Sequence, residues 1–147
     1  MEPLMAYLHY LAIVLLSGFL VAEMVVCRPG LGAEHVRLLP RLDVLFFAAA
    51  LLALATGLLR LFFYAKGVAF YLPNPAFVAK LALYVAIVGL SIKPTLAFIR
   101  WRRRLAESGE LPAAAEIASA RRMIHVEVTL LALMPLMAVL MARGIGR

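Results

Sequence analysis

Residues 4–26 read LMAYLHYLAIVLLSGFLVAEMVV, and this stretch decides the fold class. As a helix rising 1.5 Å per residue it is long enough to cross the ~30 Å hydrocarbon core of a bilayer. Its interior holds one imidazole, His9, and one carboxyl, Glu23, before CRPG stops it at Pro29 and Gly30. A secretory signal has a basic start and an apolar region of ~7–15 residues. This chain opens MEPL and its apolar run is longer, so the segment reads as a retained first helix.

Working outward, three further runs have the length and apolarity of a span. Residues 44–64 are rich in Ala and Leu, residues 75–99 follow the turn PNP, and residues 123–142 end at Arg143-Gly144. Backbone polar groups in lipid must be satisfied within the segment, which leaves helices or closed barrels. Runs this long without alternation are helices. The expected fold is therefore all-α: an integral membrane four-helix bundle with short connections, forming a single transmembrane domain over 1–147. Residues 28–42 read as a polar, partly helical connection, and 65–74 as a segment lying at the interface. Within 101–122, Ser108 or Gly109 marks a break, and AAAEIASA reads as a short cytoplasmic helix before the last span.

Composition agrees. Hydrophobic residues make up 65% of the chain and mean hydropathy is +0.98, against ~45–50% apolar residues in a soluble domain. A single cysteine, Cys27, excludes an internal disulfide and cysteine-based zinc or iron–sulfur sites. The net charge of +7 does not indicate nucleic acid, because the arginines cluster between apolar runs, where anionic lipid headgroups are the natural partner. One set of connections carries Arg28, Arg37, Arg41, Arg100, Arg102, Arg103, Arg104, Arg121 and Arg122. The other side carries Arg60, Lys66, Arg143 and Arg147, with Lys80 if it snorkels. The positive-inside rule then places the first and third connections in the cytoplasm and both termini outside.

Ionisable groups inside spans face the bundle interior or one another, and depth sorts them into two layers. His9, Arg60 and Lys80 lie near the outer face. Glu23, Asp43, Lys93, His125 and Glu127 lie near the inner one. At 100° per residue His9 and Glu23 fall within about 40° of each other, ~21 Å apart along the axis. His9, Ile13, Leu16, Leu20 and Glu23 thus form one stripe. Lys80, Tyr84, Ile87 and Ser91 share a face of the third span, and Lys93 points elsewhere. Ala49, Ala53, Thr56 and Arg60 form a small-residue stripe on the second, of the kind that lets helices approach closely. His125 and Glu127 lie on roughly opposite faces, so at most one points inward.

Each group has a bland reading and a sharper one. His9 is either a hydrogen-bond partner of a neighbouring helix or a ligand. Arg60 and Lys80 are headgroup anchors or site cations. Glu23 and Glu127 read as structural partners of Arg28, Lys93 or Arg122 ahead of proton relay, Asp43 as the N-cap of the second span, and Pro94 and Pro135 as kinks. His35 reads as a solvated loop residue.

The strings LHYLAIVLLSGFLVAE, TGLLRLFFYAKG, YLPNPAFVAKLALYVAIVGLSIKPT and LMARG together resemble DUF2214, a family of small bacterial inner-membrane proteins. The pattern is more distantly similar to HemJ-type protoporphyrinogen oxidases and CopD-like membrane domains. There a histidine sits early in the first helix and a lysine opens a later one in a context like FVAKLAL. That resemblance implies a haem b group, a haem role for His9 and an activity role for Lys80. HemJ-type proteins also carry a Tyr-His pair further along the lysine helix, where this chain reads GLSIKPT.

His9 and His125 differ in depth by most of the ~30 Å core, so they cannot clamp one haem within a monomer. A b-type haem would take His9 with a weak or foreign sixth ligand, or His9 from two protomers of a homodimer. Arg60 and Lys80 would hold its propionates, with Tyr84 beside them. The electron-transfer partner is not readable from the sequence. The alternative is a non-catalytic membrane bundle serving as scaffold or assembly partner, since no nucleophile elbow, P-loop or HExxH string appears. Transport and copper binding are weaker readings.

Overall fold

The fold comes from a computed structural model that describes residues 1–145; Arg147, counted above with the outer-side charges, lies outside them. Helix α1 spans Glu2–Val26, with proline in its first turn. Gly30 then takes a positive φ of 73°, a left-handed turn that glycine adopts without penalty. Helix α2 spans Ala33–Leu59 and runs directly into a π-helical turn, Arg60–Tyr64. A short helix α3, Val68–Tyr71, occupies the next connection. Helix α4 spans Pro75–Ser108 and α5 spans Ala114–Ala142.

Local chemistry sets the helix ends. At the start of α2 the Gly32 N–H donates to His35 Nδ1 at 2.9 Å, so His35 caps a helix and is half-buried, where the sequence suggested a solvated loop residue. At the start of α4 the Ala76 N–H donates to Asn74 Oδ1 at 2.9 Å, and Pro75 needs no amide donor at that position. Gly109 ends α4 with φ 71°. At the start of α5 the Ala113 N–H donates to Glu116 Oε2 at 2.9 Å. Both oxygens of that carboxylate also accept from Arg104 Nη2 at 2.7 Å, which pins the α4–α5 turn.

The connections are shorter than expected. Helix α2 begins at Ala33, not near Val44, because residues 33–43 form about three amphipathic turns of helix. Val36, Leu39, Pro40 and Asp43 are buried on one face, and Arg37 and Arg41 are exposed on the other. Asp43 is therefore inside the helix and is not its N-cap. Residues 114–121 are helical as anticipated, but they are the opening turns of α5 and not a separate helix. Helices α4 and α5 run unbroken through Pro94 and Pro135. At 1.5 Å per residue α4 is ~50 Å long, beyond the ~30 Å hydrocarbon core, so part of the helix extends past the thickness of that core.

Helix α1 packs along α2 and α4 along α5, and the two hairpins meet through α2–α4 and α1–α5. The shared core includes Leu20, Phe46, Ile87, Phe98, Trp101 and Ile124. The outside is equally apolar: Val14, Leu51 and Val85 are 66%, 68% and 68% exposed. A bundle greasy on both its inner and outer faces is one dissolved in lipid. Four helices, α1, α2 with its π turn, α4 and α5, are long and apolar enough to cross a membrane.

At the C-terminal end of α1, Arg121 Nη1 donates to the Cys27 carbonyl at 2.7 Å and the Met24 carbonyl at 3.2 Å, satisfying acceptors that the helix end leaves open. Cys27 is fully buried beneath this contact. Burial pushes its thiol up to about 11, against the opposing pull of Arg121, so the reactive thiolate is about a hundredfold scarcer than for a free cysteine. Maleimide labelling of the folded protein in mild detergent at neutral pH should be at least about a hundredfold slower than after unfolding. Equal rates would show that the Cys27–Arg121 closure opens readily.

Candidate functional site

The halves of the two hairpins nearest the chain termini line a cavity of about 610 Å³, within the ~300–1,000 Å³ range of ligand pockets. His9 of α1, Arg60 of the π turn, and Lys80 and Tyr84 of α4 all line it. The four residues singled out from the sequence for cofactor contact thus meet in one place.

His9 is held from α2. Its Nδ1 lies 3.0 Å from the Ala53 carbonyl and 3.0 Å from Thr56 Oγ1. A carbonyl oxygen can only accept, so Nδ1 carries the proton. The Thr56 hydroxyl gives its own hydrogen to the Leu52 carbonyl at 2.7 Å and can accept from the imidazole. The neutral ring therefore keeps its lone pair on Nε2, which has no protein partner among the described residues. The imidazole lies against Gly57, where a Cβ would stand 3.0 Å from His9 Cε1. Any larger residue there would press the ring back from α2, so glycine suits this close approach. It belongs to the spacing Ala49-x3-Ala53-x3-Gly57, which a search for small residues four apart would have found.

The cations approach from two sides. Arg60 lies over the Tyr10 ring, 5.8 Å from its centroid, and both Arg60 and Lys80 are within electrostatic reach of His9. Lys80 makes no hydrogen bond or ion pair among the described residues. Tyr84 does not offer its hydroxyl to the cavity: it donates to the Ala50 carbonyl at 2.6 Å and ties α4 to α2. Apolar side chains, Met134 and Met141 among them, complete the lining. The π turn that carries Arg60 has no signature in the sequence reading; such turns are frequent where a helix is adapted to function.

A second polar group lies toward the opposite end of the bundle. Glu23, Asp43 and Glu127 are 2%, 4% and 1% exposed, and Glu23 is within electrostatic reach of the other two. Ser91 Oγ donates to Glu127 Oε2 at 2.7 Å, and Thr95 Oγ1 donates to Asp43 Oδ1 at 2.9 Å. Glu23 Oε1 and Glu127 Oε1 are buried without a partner. The pairing of Glu23 and Glu127 with Arg28, Lys93 or Arg122 is not formed, because all three of those side chains are exposed and point away from the core. Glu127 is the inward member of its pair, and His125 is exposed. Among the described residues no three His, Cys, Asp or Glu side chains are arranged to hold a metal ion.

An all-helical chain with four bilayer-length helices and three carboxyls buried between them is a multi-pass membrane protein. It belongs to DUF2214, a family described as predicted membrane proteins, which matches residues 1–146. Neither a curated protein nor a solved structure matches it.

Proposed function

We propose that this cavity binds a b-type haem, whose iron His9 Nε2 would ligate and whose propionates Arg60 and Lys80 would hold. One observation carries the reading: the imidazole is anchored through Nδ1 to a backbone carbonyl, the arrangement that metal-ligating histidines use to fix ring and tautomer. A bare metal ion would need several protein donors. A porphyrin supplies four, so the single histidine is sufficient. Guanidinium and ammonium groups at the level of the ring suit carboxylates by charge-assisted hydrogen bonds. When bound, the group supplies one-electron redox chemistry. The chain's residues orient it, exclude water with apolar walls, and present Met134 and Met141 near it. We place the protein in the inner membrane with both termini outside, so the cavity lies in the outer leaflet.

Protein purified in detergent from a haem-replete host should show a Soret band that shifts on reduction. His9→Ala should lower the bound haem per chain by at least about tenfold while circular dichroism stays helical. A colourless parent protein would overturn the reading and leave the non-catalytic scaffold.

A further inference from the structure

The basic residues at the inner end of the bundle fall into two groups. Arg104 is engaged by Glu116, and Arg121 by the α1 carbonyls. Arg37, Arg102 and Arg103 are not committed in this way. They converge from α2 and α4 on a cleft of about 690 Å³ whose remaining lining is Ile99, Leu105 and Ala106. Arg37 and Arg102 have no hydrogen bond or ion pair among the described residues. The ion pair of Arg103, with Glu107, is long at 3.6 Å and joins side chains 73% and 69% exposed, so it holds the guanidinium weakly.

We propose that this cleft is a defined site for the phosphate headgroup of an anionic phospholipid. Three guanidiniums from two helices present planar donor forks that match phosphate oxygens in pairs. Arg37 precedes the apolar run of α2, and Arg102 and Arg103 follow that of α4, the positions where membrane helices meet headgroups. Ile99, 49% exposed, continues it toward the acyl chains. Basic pockets between membrane helices bind anionic headgroups by this combination of charge and apolar floor. The apolar floor separates a lipid from a free phosphate, which would use the guanidiniums alone. The site is separate from the outer cavity and does not depend on any cofactor there.

Binding is measured by the change in unfolding midpoint of the full chain in neutral detergent, titrated with phosphatidylglycerol, with phosphatidylcholine, or with inorganic phosphate. Phosphatidylglycerol is expected to raise the midpoint saturably, and the other two are not. The double variant Arg37→Gln, Arg102→Gln should weaken the apparent affinity by about thirtyfold, at roughly 1 kcal/mol per arginine. Arg100→Gln removes a charge from α4 outside the cleft and should stay within about twofold of the parent. An unchanged affinity in the double variant, an equal loss in Arg100→Gln, or an equal effect of inorganic phosphate would each overturn the proposal.

Discussion

Gly57→Val is expected to destabilise the bundle by about 2–3 kcal/mol and to drive His9 off α2. A Cβ at position 57 would stand 3.0 Å from His9 Cε1 and 3.5 Å from Nδ1, and valine adds two methyl groups beyond it. The ring can retreat only by releasing the Ala53 carbonyl and Thr56, hydrogen bonds worth about 1 kcal/mol each. Otherwise α1 and α2 must part along their whole contact. A double-mutant cycle isolates the cause: in a His9→Ala background most of the destabilisation should vanish, because the atom that valine strikes is gone. Gly89→Val is the control, since a Cβ there meets nothing within 4 Å. Thermal melts of the four variants and the parent, in one detergent, decide the matter. If Gly57→Val were as harmful without the imidazole as with it, the His9–α2 contact would not be what holds the ring. If haem occupies the cavity, the same variant should also lower the Soret band at least about tenfold.

The four spans were legible because lipid imposes length and apolarity on any segment that crosses it. The helix ends were less so. Residues 33–43 carry Arg37 and Arg41 and resemble a polar loop, yet those two are one turn apart, and Val36, Leu39, Pro40 and Asp43 fill the opposite face. Periodicity, not polarity, was the signal there. The same holds for residues 100–108 and 114–122, where α4 and α5 leave the bilayer as helix.

The outer site was largely readable from depth and helical phase: His9, Arg60, Lys80 and Tyr84 line one cavity. What fixes His9 was not readable, since its acceptor is the main-chain carbonyl of Ala53, and a backbone atom leaves no mark on the sequence. The role of Tyr84 changed for the same reason, its hydroxyl being taken by the Ala50 carbonyl. The inner acids were placed at the right depth and given the wrong partners. Depth brings Arg28, Lys93 and Arg122 near them, but helical phase turns those side chains outward, and the acids are left facing one another.

That inward cluster yields the last expectation: Glu127→Lys should be tolerated, while Leu131→Lys, one turn outward on the same face, should not. An ammonium group in the middle of a membrane helix is disfavoured by about 2.5–3.5 kcal/mol. At position 131 it would enter a wall of the outer cavity, which already holds Arg60 and Lys80, and would meet charge of its own sign. At position 127 it would face Glu23 and Asp43, both buried, and among the described residues no lysine or arginine hydrogen-bonds or ion-pairs with either. Carboxyls packed together where the dielectric is low resist ionising side by side, and a cation in their midst would let Glu23 and Asp43 ionise as its partners. The extra length of lysine opposes this by about 1–3 kcal/mol of overpacking, and loss of the Ser91 contact opposes it by about 1 kcal/mol. The acidic partners offset the cost of the ammonium at 127 and nothing offsets it at 131, so the two lysines should differ by about 3 kcal/mol, read as membrane yield and unfolding midpoint in detergent. Equal loss of both variants would mean that Glu23 and Asp43 do not confront position 127 as a shared, uncompensated acidic group.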